Sequence, residues 1–562
     1  MFLDARHVAD GTLIEADVCI IGAGMAGLTI ALEFNRRGIR SLVLESGGFR
    51  PDDRTRDLYR GYSNGIPYLF ADGCRSRFLG GSSNCWGGWC RPMQEHDFEV
   101  RPWVPNSGWP FSLSELRPFY PRAHGILHLG PERYDTAFWT DAIGRHDTRQ
   151  FPLSGTHIAD AASQFSPPVR MGRTYRRELR DSKTVTVCLH ANVVDIDTEP
   201  DARTVTGIHV RTLSGRSMRA VARTFVLATG GIENARLLLT SNRVARAGLG
   251  NAHDLVGRYF MDHPRVTSGT VVFNNAWQRH KLYDHKFHYQ NDTVAAHGTR
   301  VAAQFHTTLA AQREEGLLNS QAWFASVFPG ENTPAADALI RFKHRLQGKE
   351  KQGYSVTGDL LTLAGSPLNS LGFIAARLFQ PSALIKRVTM QAIVEPTPDP
   401  TSRVTLSDQR DELGMPRVRV DWRLDEQVKR TFDRTFALLA AELEHIGVAT
   451  VVLDPPIEGR DWPASFEREG SWHHMGTTRM HDSPRHGVVD RNCLVHGMTN
   501  LYIAGSSVFP TAGANYPSIT LVALALRLAD RLVCELREPE ARMTPPRPAR
   551  ESIPLARLRE PS

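Results

Sequence analysis

Ala16-Asp17-Val18-Cys19-Ile20-Ile21-Gly22-Ala23-Gly24-Met25-Ala26-Gly27 is the stretch on which the fold turns. Its first half is a short apolar run of the kind that forms a buried parallel strand. Gly22, Gly24 and Gly27 then fall in Gly-x-Gly-x-x-Gly spacing, and Leu28 to Arg37 follows as a predicted helix closed by Gly38. Arg40 to Leu44 reads as a second strand ending in Glu45, 23 residues after Gly22, close to the spacing expected of a ribose-binding acid. These parts make a complete βαβ unit for a dinucleotide. Gly22 permits the tight turn, Gly24 lets the backbone approach a pyrophosphate, and Gly27 lets helix and strand pack closely. The helix N-terminus that follows faces the phosphates with its free N–H groups and positive dipole end, and Met25 and Ala26 of the loop are candidate cofactor contacts. On this unit alone the dinucleotide is NAD or FAD.

Working outward, Arg77 to Trp89 is a second glycine-rich loop, containing Gly80-Gly81-Ser82-Ser83-Asn84-Cys85-Trp86-Gly87-Gly88. Its glycines would weaken any regular element. A surface turn is the plain alternative, but two tryptophans among four glycines are a poor surface choice. The loop therefore reads as a backbone-rich lid against a flat ring system, with Ser82, Ser83, Asn84, Trp86 and Gly87 as candidate contacts. Val185 to Ile196 and Val205 to Thr212 alternate as paired strands, and Arg223 to Ala228 is a further buried strand. Thr229-Gly230-Gly231 turns onto a helix from Ile232 to Ser241 and returns the chain to the first domain. Residues 264–465 hold no dinucleotide signal; they include a hairpin, Arg403 to Leu406 with Arg417 to Trp422, and a long amphipathic helix from about Asp425 to His445. The expected organisation is α/β: a discontinuous Rossmann-like dinucleotide domain (1–100, 185–263 and 466–538) and an α+β substrate domain (101–184 and 264–465) built on an antiparallel sheet. Ile519 to Val533 is a core helix of the first domain, and the Pro- and Arg-rich tail 539–562 is expected to be disordered.

The bulk composition excludes several classes. With 562 residues, 41% of them hydrophobic and 23% charged, the chain is an ordinary multi-domain globular protein. A net charge of +7 without a dense basic run argues against nucleic acid. The basic residues are 59 arginines and only 8 lysines, which reads as the codon usage of a GC-rich genome. Seven cysteines with no CxxC pair fit reduced thiols better than disulfides or zinc. No signal peptide and no apolar run of membrane-spanning length is visible, so the expected location is cytoplasmic.

The chemistry concentrates in Ser471-Trp472-His473-His474-Met475-Gly476-Thr477-Thr478-Arg479-Met480. Two adjacent histidines admit three readings. Metal binding lacks HExxH spacing and a third ligand. A structural pair is the plain reading. A general base is the third, because histidine titrates near neutrality and can take a hydroxyl proton as hydride leaves the same carbon. The residues alone do not choose between His473 and His474.

Five separated motifs resemble the glucose–methanol–choline (GMC) oxidoreductases: the fingerprint with Glu45, the Gly80–Gly88 loop, Val256-Gly257-Arg258-Tyr259-Phe260-Met261-Asp262-His263-Pro264, the His473 block, and Asn500-Leu501-Tyr502-Ile503-Ala504-Gly505-Ser506-Ser507-Val508-Phe509-Pro510. The resemblance covers nearly the whole chain and is greatest to the bacterial branch that oxidises sugars and glycosides. It implies FAD rather than NAD, a GMC-type fold, and oxidation of the CH–OH group of a sugar, aminosugar or glycoside by hydride transfer to flavin N5. It implies that His473, three residues before Gly476-Thr477, is the base. The second catalytic residue of the family is usually an asparagine directly before a proline. This chain instead reads Asn515-Tyr516-Pro517, so either Asn515 or Tyr516 takes the role. By the same carry-over Val193 meets the adenine, and Gly505 and Ser506 line the flavin near the pyrophosphate. No histidine stands in the Asn84-Cys85 segment where some relatives tether the flavin, so the FAD is expected to be non-covalent. Oxygen, a quinone or a protein carrier would take the electrons. The competing readings are a non-sugar alcohol, a catalytic subunit of a membrane-bound dehydrogenase complex, and a non-redox lyase. Trp323, Tyr354 and His306 are candidates for a sugar pocket or for ordinary core packing.

Overall fold

In the computed structural model, which describes residues 1–68, 74–167, 169–275, 279–287, 294–328, 330–331, 333–346, 355–379, 385–456, 471–537 and 553–554, the opening apolar run is the strand Thr12–Ile21. Ser41–Leu44 and Ser217–Leu227 flank it, both parallel. Val185–Leu189 and then Phe2–Asp4 extend the parallel set on one side. On the other, Leu501–Ile503 runs parallel to the end of Ser217–Leu227. Strands covered on both faces read as continuous apolar runs, and Val18 to Ile21 and Leu42 to Leu44 are accordingly buried throughout. The helix Met25–Arg37 follows the first strand and ends at Gly38, whose φ of 73° is the left-handed stop a glycine supplies.

The expected pairing of Val185 to Ile196 with Val205 to Thr212 is corrected. The chain breaks at His190, φ 58°. Val185–Leu189, buried at every residue, joins the parallel set. Asn192–Thr198, half-buried along much of its length, pairs antiparallel with Val205–Arg211 at the far edge of the same sheet.

The second layer is an antiparallel sheet in the order Ala449–Val452, Arg265–Phe273, Arg387–Val394, Ser320–Val327, Thr299–Thr307, Ile158–Phe165 and Trp89–Cys90. The helix Glu426–His445 packs with it, capped by the Asp425 carboxylate on the Val428 N–H. Its buried stripe of Val428, Phe432, Phe436, Leu439 and Leu443 belongs to the core of that sheet.

Two segments cross the expected division. The hairpin Arg403–Arg410 and Pro416–Trp422 gains Gly61–Gly65 as a parallel third strand, and Val404, Val418, Val420 and Trp422 pack in the core of the first domain. Conversely, Trp89–Cys90, from within 1–100, begins the second sheet. The tail 539–562 lies outside the described residues apart from Ile553–Pro554, which pairs parallel with Ile14 and Glu15, so the expectation of disorder does not extend to those two.

Candidate active site

A cavity of about 710 Å³ lies between the two layers. The fingerprint residues Gly22, Gly24, Met25 and Ala26 line it, with Glu45 and Val193. So do Ser82, Ser83, Trp86 and Gly87 of the second loop, and Gly505 and Ser506 of the tail. Gly27 and Asn84 do not. A Cβ at Gly27 would lie 2.0 Å from the Gly22 carbonyl oxygen, so this glycine serves close packing of helix on turn. The Asn84 amide donates to the carbonyls of Leu79 (3.0 Å) and Gly81 (2.9 Å) and braces its own loop. The two glycine loops touch: the Gly80 N–H donates to the Ala23 carbonyl at 2.9 Å, and a Cβ at Gly81 would come within 2.8 Å of the Gly24 Cα. The buried Glu45 carboxylate accepts the N–H groups of Ala23 (3.0 Å) and Gly47 (2.9 Å), and burial raises its pKa.

Sequence reasoning missed a buried charge cluster beside this wall. Glu233, in the first turn of the helix Gly231–Thr240, receives Arg75 (2.9 Å), Arg236 (3.2 Å) and Arg77 (3.4 Å). Burial alone would raise its pKa, but Arg236, Arg75 and Arg77 hold it down to about 2. The turn Thr229-Gly230-Gly231 was a visible signal, and an acid in the first turn behind it was the part left unread.

The cavity fits FAD. A Cβ at Gly230 or Gly505 would meet no atom within 4 Å, and one at Gly24 nothing nearer than 3.9 Å. Since all three residues line the cavity, side chains there would occupy it. The N-termini of the helices Met25–Arg37 and Gly231–Thr240 both open onto it, offering free N–H groups to an anion. Arg77 Nε and Ser471 Oγ, on two further lining residues, are buried polar atoms without a partner among the described residues.

At the other end stand His473, His474 and Tyr516. The His473 backbone N–H donates to Asp262 Oδ1 at 2.7 Å, and Asp262 Oδ2 accepts the Tyr68 hydroxyl at 2.7 Å. Gly476, with φ 82°, brings this loop against Tyr259, where a Cβ would lie 2.1 Å from the carbonyl oxygen. His263 then fixes the proton positions. Its Nε2 lies 2.6 Å from the Gly513 carbonyl, which can only accept, so Nε2 carries the proton. Burial pushes the His263 pKa down to about 4, so the ring is neutral and its Nδ1 is bare. His473 Nδ1, 2.8 Å away, must donate to it. His473 is also driven neutral, by burial first and then by His263, with its pKa well below the usual 6.5. The proton assigned to Nδ1 leaves His473 Nε2 with a free lone pair, and no described residue hydrogen-bonds it.

The neighbouring residues are placed differently. His474 Nε2 meets Cys74 Sγ at 3.3 Å, its carbonyl accepts Ser506 Oγ at 2.7 Å, and burial lowers its pKa to about 3. Asn515 is buried outside the cavity lining. Its Oδ1 accepts Arg91 Nε at 2.8 Å and also Gln321 Nε2, while its Nδ2 donates to the Pro92 carbonyl. Tyr516 does line the cavity, with its ring 5.6 Å from His473 and 5.0 Å from Trp89. Trp89 and Arg265, both from the second sheet, complete this wall. Trp323 is 1% exposed and bonds Gln391 through Nε1 at 3.1 Å, so it packs behind Trp89 rather than lining the cavity. His306 also stays off the lining, its ring 3.3 Å from the Thr307 carbonyl, and Tyr354 lies outside the described residues.

Comparison with known proteins bears on the same regions. A family model described as FAD dependent oxidoreductase matches residues 17–246, and one described as GMC oxidoreductase matches 398–525. The chain is 23% identical to the fructose dehydrogenase large subunit of Gluconobacter japonicus, over 93% of this chain and 99% of the relative. It is 24% identical to a 2-methyl-1,2-propanediol dehydrogenase of Mycolicibacterium austroafricanum, over 92% and 95%. The fold aligns with a crystal structure of formate oxidase at a TM-score of 0.53 and 18% identity, covering 94% of this chain and 99% of the other.

Proposed function

The chain belongs to the GMC oxidoreductases, FAD-dependent enzymes of CH–OH donors, and from that premise we propose that it oxidises a CH–OH group of a sugar, aminosugar or glycoside to a carbonyl, with His473 as the base. The reading is carried by the free lone pair at His473 Nε2, in a ring whose other nitrogen is committed to His263. FAD, when bound, supplies the two-electron acceptor for the hydrogen that leaves the carbinol carbon as hydride. His473 Nε2 accepts the hydroxyl proton, so the alcohol loses one proton to the protein and becomes a carbonyl. Because burial disfavours the charged ring, the proton passes from Nε2 to solvent once the carbonyl product leaves, which restores the base. The Tyr516 hydroxyl orients the substrate oxygen, and the ring faces of Trp89 and Tyr516 with the Arg265 guanidinium form a wall of mixed apolar and polar character suited to a polyol. Gly24, Gly230, Gly505 and the two helix N-termini hold the cofactor without a covalent bond. Oxygen, a quinone or a protein carrier would take its electrons.

The experiment is anaerobic titration of the flavin absorbance with sugars, glycosides and aminoglycosides. His473→Ala should retain FAD and slow the bleaching roughly 10²- to 10⁴-fold. Fast bleaching in that variant would remove His473 from the role. The similarity to a propanediol dehydrogenase supports a second reading, a non-sugar alcohol. Bleaching by 2-methyl-1,2-propanediol and by no sugar would select it.

A further inference from the structure

Apart from its histidines, the cavity wall carries the acidic and basic side chains Glu45, Arg77, Glu233 and Arg265 among the described residues. The first three are engaged at the fingerprint end. Glu45 accepts the N–H groups of Ala23 and Gly47, and Arg77 pairs with Glu233 at 3.4 Å. Arg265 stands apart. Among the described residues its side chain has no ion pair and no hydrogen bond, and its buried Nε is without a partner. The acids behind this wall are committed elsewhere: Asp262 to the Tyr68 hydroxyl and the His473 N–H, Glu395 to Arg101 at 2.6 Å.

The sheet holds this guanidinium in place without a counter-charge. Arg265 opens the strand Arg265–Phe273, two residues after His263. Residues two apart on a strand share a face, so Thr267 points the same way. Thr267, Gln391 and Trp323 stand in one row across three strands. Gln391 Nε2 donates to Thr267 Oγ1 at 3.1 Å, and Trp323 Nε1 donates to Gln391 Oε1 at 3.1 Å, which fixes the indole. The Arg265 guanidinium lies over that indole, 5.6 Å from the ring centre. Attraction to a ring face leaves the N–H edge of a guanidinium free to bind. Trp323 neighbours Trp89, Trp89 neighbours Tyr516, and Tyr516 neighbours His473. The free cation therefore belongs to the catalytic end of the cavity.

A guanidinium stays charged at ordinary pH. A half-enclosed charge without a counter-charge is unfavourable, and an entering anion removes that cost. We propose, resting on the alcohol oxidation argued above, that the substrate is a sugar acid whose carboxylate is held by Arg265 while its reacting hydroxyl lies at His473 Nε2. The planar fork of N–H groups matches a carboxylate in two parallel hydrogen bonds. One guanidinium balances one carboxylate, whereas a phosphate monoester brings nearly two charges and this wall offers no second free cation among the described residues. Binding also couples to the base. Burial, then His263, then the Arg265 charge hold the His473 pKa down. A carboxylate on Arg265 cancels the last of these, so His473 becomes more basic when the acid is bound.

The test titrates the FAD-loaded full chain anaerobically with matched pairs, glucuronate against glucose and galacturonate against galactose, with gluconate and glucose 6-phosphate beside them. The favoured acid should half-saturate the bleaching at a concentration ~10-fold or more below its neutral partner and below the phosphate. Arg265→Gln should collapse that preference, and Arg265→Lys, which keeps the charge without the fork, should retain part of it. Tetrahydropyran-2-carboxylate, a ring acid with no hydroxyl to oxidise, should perturb the flavin spectrum, its amide should not, and Arg265→Gln should abolish the response. This second measurement separates the two readings. Arg265-dependent binding of the ring acid with no bleaching by any alcohol supports the carboxylate site and defeats the oxidation. The proposal is overturned if the unaltered protein fails to bind the ring acid or prefers the neutral sugar or the phosphate. It is equally overturned if Arg265→Gln loses FAD, which would assign the guanidinium to the cofactor, or slows acid and neutral partner alike, which would assign it to the reacting oxygen.

Discussion

Asn515 and Tyr516 are consecutive in the chain, yet only Tyr516 lines the cavity, with its hydroxyl accepting Gln304 Nε2 at 3.4 Å. The Asn515 oxygen is held by Arg91 and Gln321 and its amide donates to the Pro92 carbonyl, all outside the cavity lining. Its work is to partner a buried guanidinium whose pKa burial has already lowered to about 10. Asn515→Leu should therefore lower stability by about 1–3 kcal/mol, the cost of an unsatisfied buried donor. Tyr516 packs its ring on Trp89, and Tyr516→Phe keeps that contact while deleting the hydroxyl. It should slow anaerobic flavin reduction ~10-fold or more with the FAD content unchanged. Stopped-flow reduction and denaturant titration of both variants separate the roles. A stable, inactive Asn515→Leu beside a fully active Tyr516→Phe would reverse them.

At the scale of the element, the fingerprint glycines divide into two kinds that spacing alone does not distinguish. Gly24 faces open space in the cavity, whereas Gly27 faces the Gly22 carbonyl. Gly24→Val should leave the fold intact and weaken FAD binding by ~10-fold or more, the equivalent of about 1.4 kcal/mol. Gly27→Val should damage the helix–turn packing itself and cost about 1–3 kcal/mol or more. Circular dichroism and flavin content of the purified variants check both, and an FAD-loaded Gly24→Val would show that the pyrophosphate does not approach there. The βαβ unit was legible in the sequence because its geometry is enforced within a few residues, by glycines that allow contacts other residues forbid. The partners of the site were not, because sheet pairing brings them together. Trp89 reaches the cavity through Ile158–Phe165, and Arg265 at the start of Arg265–Phe273. His263 lay in plain view in Met261-Asp262-His263-Pro264, but its bond to His473 spans 210 residues. The hairpin at 403–422 was read correctly as a hairpin. Chain order gave no sign that Gly61–Gly65 would join it.

At the scale of the molecule, the cavity is a seam between two separately built cores, and the catalytic end of that seam is kept neutral. His263 is pushed down to about 4 and His474 to about 3 by burial, and burial also lowers His473 well below 6.5. His306, in the second sheet, is likewise pushed down to about 4 by burial. Each of these rings binds its proton less readily folded than unfolded. The unfolded chain therefore takes up protons first as pH falls below 6.5, and stability declines with pH. Burial acts oppositely on Asp262, raised to about 6, and also raises Glu45, Asp160 and Asp284. These carboxyls protonate earlier in the folded state and offset part of the loss as pH falls through their range. The imidazole contributions begin at higher pH and extend further, so the net sign is theirs. We expect the midpoint of denaturant unfolding, measured on the FAD-free protein, to fall steadily from pH 6.5 toward pH 4. His306→Gln and His474→Gln should each flatten that slope, because glutamine has no proton to gain. A midpoint that holds constant from pH 7 to pH 4.5 would mean that these rings are charged in the folded protein, and the assignment of a bare Nε2 at His473 would lose its basis.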